Sequence, residues 1–433
     1  MKQLFATIAA LMLIGGLWSP AQAKLEIEIT QGVASAMPIA IVPFAWQVPD
    51  EVEPVDSVTD VIASDLYRSG LFDPMAESDM IERPTAPEDV RFGTWRLLKV
   101  DAVVVGQVRA VTGGYELEYH LIDVFSGRQL LSQVQFAAAG DLRFGAHRVA
   151  DTIYQALTGQ PGAFATRIAY IVATGEGDDS RYELVVADSD GFNEQSIVSS
   201  PQPLLSPAWS PDGRQLAYVS FARGNSTIML QNIFSGEREQ IAAFKGINGA
   251  PAFSPDGRRL ALTLSRSGSP EIYLFDLASR EFTQLTSHWG IDTEATWSPD
   301  GRHLYFTSDR GGRPQIYRIA VGGGDPERIT FQGEYNARAS LSPDGRYIAT
   351  THGNDNDYRI AVYDRETEQL RVLSSGRLDE SPSFAPNGSM ILYATRESGR
   401  GVLAAVSADG NVRQKLVQSL GDVREPAWSP LVR

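Results

Sequence analysis

A five-residue pattern recurs five times at almost constant spacing, and it limits the fold more than any other feature. Trp209-Ser-Pro-Asp-Gly213 returns as Phe253-Ser-Pro-Asp-Gly257, Trp297-Ser-Pro-Asp-Gly301, Leu341-Ser-Pro-Asp-Gly345 and Phe384-Ala-Pro-Asn-Gly388, and a shortened copy, Trp428-Ser-Pro430, stands near the end. Successive copies are 44, 44, 44, 43 and 44 residues apart. A period of about 40–45 residues is that of a four-stranded propeller blade. Ser-Pro-Asp-Gly is turn chemistry: Pro presets φ and Gly tolerates the last position. Runs such as Arg302-His-Leu-Tyr-Phe-Thr-Ser308 and Glu271-Ile-Tyr-Leu-Phe-Asp-Leu277 have the β-branched and aromatic content of strands.

Six copies predict six blades. The first segment, Thr166-Arg-Ile-Ala-Tyr-Ile-Val-Ala173, reads as a second strand without a first, and the last copy stops just after its turn. The C-terminal strand is therefore expected to complete the blade that begins near Arg167. That closes the ring over residues 166–433 and leaves no open edges. It also leaves no expectation of a hydrolase domain behind the propeller.

The preceding region differs in pattern. Pro38-Ile-Ala-Ile-Val-Pro-Phe44 reads as a buried strand, and Ser57 to Ser69 as a helix with Ser57 and Asp60 as a capping box and Gly70 as its stop. A second helix is expected over about 88–99. Strands are expected at 102–108, 115–124 and 129–136, and a last helix from Asp141 to Leu157, ended by Gly159 and Pro161. The fold class is thus mainly β: a small α/β domain over 24–165, then the propeller.

Residues 1–23 read as a cleavable export signal, with Lys2, an apolar stretch from Leu4 to Leu17 and the small-residue site Ala21-Gln22-Ala23. The mature chain is expected to begin at Lys24. Since that residue is not Cys, no lipid attachment is expected there. The net charge of −15 argues against nucleic acid and anionic lipid as partners. The front domain is the more acidic, with 20 acids and 10 bases over 24–165 against 33 and 27 over 166–433.

Catalytic chemistry finds little footing. The chain has no Cys, which removes thiol chemistry and cysteine metal sites. Its five histidines, His120, His147, His288, His303 and His352, show no zinc-site spacing and read as surface or packing residues. No Gly-x-Ser-x-Gly elbow or P-loop occurs. Asn354-Asp-Asn-Asp357 lacks the Gly and distal Glu of an EF-hand and reads as a loop. Trp209, Trp297 and Trp428 lie in the repeat register and read as blade packing. No cofactor, metal or catalytic set is expected.

The binding signal is positional. The loop before each innermost strand opens at the mouth of the central channel. Three residues before each motif aromatic stand Ser206, Ala250, Glu294, Arg338, Ser381 and Glu425, with Asn248, Asp292, Thr293, Asp379, Glu380 and Arg424 beside them. Such a polar ring on a rigid scaffold is a usual binding place, and equally the polar lining that any channel mouth has.

These residues carry a resemblance. Pro38–Phe44, Asp101-Ala-Val-Val-Val-Gly-Gln107, Leu157-Thr-Gly159 followed by Gly162-Ala-Phe164, Thr166–Tyr170, Ser200-Pro-Gln-Pro-Leu204 and Asn248-Gly-Ala-Pro-Ala-Phe253 are similar to the TolB family, periplasmic components of the Tol-Pal system of Gram-negative bacteria. The resemblance implies a non-catalytic interaction hub with two partners. The peptidoglycan-associated lipoprotein Pal would meet the channel mouth, at Asn248, Ala250, Asp292, Thr293, Glu294, Asp379, Glu380, Arg424 and Glu425. The C-terminal domain of TolA would meet the segment 24–35, through Lys24, Leu25, Glu26, Ile27, Glu28 and Ile29, whose alternation suits strand addition. The role implied is outer-membrane integrity and invagination at division. Two departures stand out: Ile247 where the family often has His, and the charged Arg424-Glu425 pair. Two other readings stay open, a propeller enzyme working with the mouth carboxylates Glu294 and Glu380, and a glycan or small-ligand binder.

Overall fold

The computed structural model describes residues 26–31, 36–354, 357–417 and 421–431. The proposed export signal, Lys24, Leu25 and Asp355-Asn356 lie outside them. In the front domain, strand β1 is Glu26–Gln31, β2 is Met37–Ile41, β3 is Ala45–Gln47, helix α1 is Val58–Arg68, β4 is Phe72–Pro74, α2 is Phe92–Leu97, β5 is Ala102–Val111, β6 is Gly114–Asp123, β7 is Gln129–Ala138 and α3 is Leu142–Thr158. The sheet order is β4-β2-β5-β6-β7, and β3 also pairs with β5. The strands β2, β4 and β5 run parallel, while β5, β6 and β7 form an antiparallel meander. Helices α1 and α3 cover one face around Ile62, Leu66, Val149 and Ile153. Trp95 of α2 fills a second cluster with Val103, Val105 and Val124.

Local chemistry explains the helix ends. Asp60 N donates to Ser57 Oγ at 3.1 Å, and Ser57 N donates back to Asp60 Oδ2 at 3.2 Å, closing the expected capping box. Gly159 ends α3 at φ 78°. The second helix is shorter than the sequence suggests: Pro87–Asp89 forms a separate 3₁₀ turn, and only Phe92–Leu97 is α-helical.

The second domain is the six-bladed ring. After β8 (Arg167–Thr174), β9 (Arg181–Asp188) and β10 (Gln195–Ser200), four-stranded sheets begin at Leu204, Asn248, Asp292 and Tyr335. The sheet that begins at Glu380 carries a fifth strand, because β1 pairs antiparallel with its outer strand Arg413–Val417. The closing strand, Asp422–Trp428, pairs with β8. Each Ser-Pro-Asp-Gly turn is self-sufficient: in the first, Asp212 Oδ1 accepts from Ser210 Oγ at 2.5 Å and Arg214 N at 3.0 Å. Two motif tryptophans stitch blade to blade: Trp209 Nε1 donates to Ala427 O at 3.1 Å and Trp297 Nε1 to Ala252 O at 3.0 Å, while Trp428 Nε1 donates to Thr166 Oγ1 at 2.8 Å within the closing blade.

A buried polar cluster fastens the two domains at the turn end of the ring. His147 of α3 is fully buried. Its Nδ1 donates to Asp65 Oδ2 at 2.6 Å, and its Nε2 lies 3.5 Å from Asp190 Oδ2, on the loop after β9. Arg68 joins Asp65 at 3.0 Å and donates to Ser189 Oγ at 2.8 Å, while Arg143 joins Asp190 at 2.5 Å. The sequence reading of His147 as a lone packing residue is therefore corrected in part: it is packed, but as one member of an ionic set. Burial pushes its pKa down, and the charge and hydrogen bond of Asp65, with the charge of Asp190, outweigh burial and Arg68, so the net direction is up. A folded value above the unfolded one means the contribution is full below about pH 6.5 and fades as pH rises through the folded value. Breaking such a buried set costs about 3 kcal/mol or more. His147→Ala is expected to lower unfolding free energy by that order, with a larger deficit at about pH 6 than at about pH 9, measured by urea unfolding at both values.

Candidate functional site

The innermost strand of every blade breaks its ladder at the same place. Pairing shifts between Leu205 and Ala208, Gly249 and Ala252, Thr293 and Thr296, Ala337 and Ser340, Glu380 and Ser383, and Arg424 and Ala427. Within each bulge one non-glycine residue has positive φ: Ser206 at 51°, Ala250 at 44°, Glu294 at 54°, Arg338 at 57°, Ser381 at 60° and Glu425 at 51°. A bulge re-aims a side chain, and the left-handed region is costly for residues with a Cβ. The sequence expected these six around the channel mouth; Ser206, Ala250, Glu294, Arg338 and Ser381 line the central cavity of about 400 Å³, and the last strand lines it from Pro426 onward. The cavity continues down to Pro211, Pro343, Pro386 and Pro430 of the turns.

An ion pair bridges two blades across the one between them. Arg338 Nη2 lies 2.7 Å from Glu425 Oε2, and its Nη1 donates to Ser381 Oγ at 2.7 Å. Ser206 N donates to the same Glu425 Oε2 at 2.6 Å. Burial works against the charge on Glu425, and Arg338 overrides it, so the carboxyl titrates below its ordinary range. Glu294 contributes to raising the pKa of Arg338 and accepts from Thr307 Oγ1 at 3.2 Å. Two carboxylates and one guanidinium thus interact at the level of the bulges.

The other sequence candidates fall into two groups. Asn248, Asp292 and Asp379 are fully buried and hold their own loops. Asn248 accepts from Phe244 N at 2.9 Å and donates to Phe244 O at 2.7 Å and Ser226 O at 3.0 Å. Asp292 receives Arg310 Nη2 at 2.5 Å, and Asp379 receives Gly376 N at 3.0 Å and the hydroxyls of Ser374 and Thr395. These three shape the mouth from behind and do not present their carboxylates or amide to a partner. Thr293 is half-buried beside Glu294, with its hydroxyl 3.2 Å from that of Thr263, while Glu380 and Arg424 are exposed at the rim. Arg424 pairs with Asp422. Glu26, Ile27, Glu28 and Ile29 lie in β1, whose backbone pairs with Val417, Leu416, Lys415 and Gln414 respectively.

Apart from Ile247, already singled out as a departure, what the sequence reading passed over is the apolar content of the mouth. Ile247, Trp289, Ile291, Phe331 and Leu378 stand in the loops that lead into four successive innermost strands, at the mouth end, and are 49%, 79%, 47%, 65% and 41% exposed. Single exposed hydrophobics are ordinary, whereas several on one face mark an interaction surface. The sequence signal available was partial: Ile247, Ile291 and Leu378 each stand six residues before the motif positions Phe253, Trp297 and Phe384, whereas Trp289 and Phe331 share no such offset.

Among the described residues, one group could bring ligand atoms together for a metal: Asp65, His147 and Asp190, within 4.8 Å of one another. Arg68 and Arg143 already neutralise both carboxylates, which suits a clamp better than a cation site.

Comparison with known proteins gives concordant results. The sequence profile of the TolB amino-terminal domain matches residues 25–130, and that of the TolB beta propeller domain matches 154–432. The Tol-Pal system protein TolB of Thioalkalivibrio sulfidiphilus is 64% identical over 414 residues, 95% of each chain. That of Xanthomonas campestris pv. campestris is 57% identical over 412 residues, 94% of each. The crystal structure of TolB from Acinetobacter baumannii is 42% identical and superposes with a TM-score of 0.86, covering 94% of this chain and all of that one.

Because the Arg338–Glu425 pair is half enclosed by the ring, Glu425→Gln is expected to cost about 3 kcal/mol by leaving the guanidinium without its nearest carboxylate. Adding Arg338→Met is expected to recover most of that loss, read from urea unfolding of the two variants and the parent.

Proposed function

The chain belongs to the TolB family of Tol-Pal system proteins, and on that premise we propose that it is a non-catalytic periplasmic hub with two protein partners. Its channel-mouth face receives Pal, and its N-terminal segment 24–35 receives the C-terminal domain of TolA. Joined in this way, it links outer membrane to inner membrane and serves outer-membrane integrity and invagination during division.

The observation that carries the first half is the mouth itself. Five exposed apolar side chains, on four successive blades, flank a polar ring whose backbone turns at six bulges. An apolar arc beside rigid polar anchors suits a protein-docking surface: aromatic anchors supply most of the energy and fixed polar groups supply register. Among the nine mouth residues that the sequence singled out, Ala250, Thr293, Glu294, Glu380, Arg424 and Glu425 can reach a partner directly. Asn248, Asp292 and Asp379 act by holding the loops.

The second half rests on β1. It is joined to the rest of the protein by pairing with the edge strand Arg413–Val417. A segment that already binds as an added strand has the backbone geometry to do the same on a partner's sheet. TolA would then compete with the Arg413–Val417 edge for the same hydrogen bonds. The helices of the described residues include none long and apolar enough to cross a membrane, which is compatible with a protein that acts between the two.

Calorimetric titration with the periplasmic domains of the organism's own Pal and TolA tests both halves. Pal is expected to bind the chain from Lys24 and a variant lacking 24–35 equally, and Trp289→Ala with Phe331→Ala is expected to weaken it at least tenfold, about 1.4 kcal/mol. TolA is expected to bind only the chain that keeps 24–35. Absence of binding by both partners would overturn the proposal.

A further inference from the structure

The front sheet ends in an edge of an unusual kind. The last strand, β7, pairs only with β6 among the described residues. Its ten residues, Gln-Leu-Leu-Ser-Gln-Val-Gln-Phe-Ala-Ala, contain no charge and no proline. Val134 is 58% exposed and Phe136 is 51% exposed. Soluble proteins normally protect a sheet edge with a lysine, a proline, a strong bulge or a very short strand, because a long uncharged edge pairs with other chains. Apart from a register shift at its first residues, β7 uses none of these.

We propose that β7 is the interface through which two copies of this chain associate, antiparallel, about a two-fold axis at Gln135. Antiparallel self-pairing sets each residue against one at the mirrored position, so any charge near the axis would meet its own sign. A charge-free strand is what this arrangement needs. With Gln135 opposite Gln135 of the second copy, Val134 lies opposite Phe136, and the pair occurs twice by symmetry. Ser132, Val134, Phe136 and Ala138 share one face of the strand by alternation. On the other face Ala137 is buried and Leu131 packs on the core. The aromatic–β-branched contact therefore forms on the side left open. The flanks agree. Arg128 stands just before the strand and Asp141 just after it, and both are exposed. Antiparallel pairing brings Arg128 of each copy toward Asp141 of the other, with opposite signs at both ends.

The acidity of the front domain opposes close approach, so association is weak and is sought from micromolar to millimolar chain. Sedimentation velocity of the purified chain is expected to show a concentration-dependent dimer, weakened at least tenfold by Val134→Lys. Charge exchange supplies a second reading: Arg128→Glu is expected to weaken the dimer and Arg128→Glu with Asp141→Arg to restore it. The chain has no cysteine, which permits a clean test of register. Gln135→Cys is expected to form a disulfide-linked dimer on mild oxidation, since directly opposed residues fall within disulfide reach, whereas Ser126→Cys in the preceding turn is not. A chain that stays monomeric throughout, a dimer indifferent to Val134→Lys, or equal cross-linking of the two cysteine variants overturns the proposal.

Discussion

The ring depends on one pairing, that of the closing strand Asp422–Trp428 with β8. It joins segments more than 240 residues apart. Around the seam, Arg167 N donates to Ser429 Oγ at 2.9 Å, Ser429 N donates to Arg167 O at 2.8 Å, and Trp428 Nε1 reaches Thr166. Closing a loop of this length costs about 5 kcal/mol of chain entropy. No cysteine is present to carry part of that by constraining the unfolded chain. The closure is offset because it completes a sheet, covers two strand edges and brings the last blade against its neighbours, with Val423 buried among Tyr170, Leu392 and Leu403. The blades on either side of the seam rely on it, since each of them packs against two neighbours only when the ring is shut.

The same stretch of the ring carries the front domain. The fifth turn departs from the repeat, with Ala385 and Asn387 where the others have Ser and Asp. Ala385 is fully buried against Ala163, and Asn387 Nδ2 donates to Pro161 O at 2.8 Å. A Ser-Asp pair there would serve its own turn; the Ala-Asn pair serves the linker. Asp151 of α3 holds that linker by accepting from Phe164 N at 2.7 Å and Ala165 N at 3.1 Å, while burial raises its carboxyl to about 6. Gly162 lies so close that an added Cβ would sit 2.2 Å from Asp151 Oδ1. The blade that begins at Glu380 therefore has two attachments, the front domain at its turn and β1 on its outer edge, and it contributes Leu378 and Glu380 to the mouth.

Periodic features were legible in the sequence, and convergent ones were not. The 44-residue spacing specified six blades, and the missing first strand at Thr166 specified how they close. The capping box at Ser57 and Asp60 and the stop at Gly159 marked helix ends to within a residue or two. The mouth was legible as a position and less so as chemistry. Asn248, Asp292 and Asp379 look like partner-facing polar residues, because a sequence does not show that the chain turns inward one step before the bulge. Ile247, Trp289, Ile291, Phe331 and Leu378 are spread over 132 positions, and only the stacking of blades sets them on one face. His147 has its acidic partners 82 residues before it and 43 after it, so no local pattern could join them.

The six bulges connect this architecture to binding. A left-handed conformation costs a residue with a Cβ about 1–2 kcal/mol, and glycine at each bulge would remove that cost. The sequence keeps side chains there, and five of the six are polar. Three of the strained backbones are held from outside: Glu294 N by Thr263 Oγ1 at 3.3 Å, Arg338 N by Thr307 Oγ1 at 2.9 Å, and Ser206 N by Glu425. In each case the acceptor comes from the adjoining blade, so the strain at one blade is balanced by the presence of the next. Ring closure thus fixes the mouth as well as the fold. A surface whose polar groups are ordered before a partner arrives loses little entropy on binding, which is the physical reason to build a docking face on a closed ring and not on free loops.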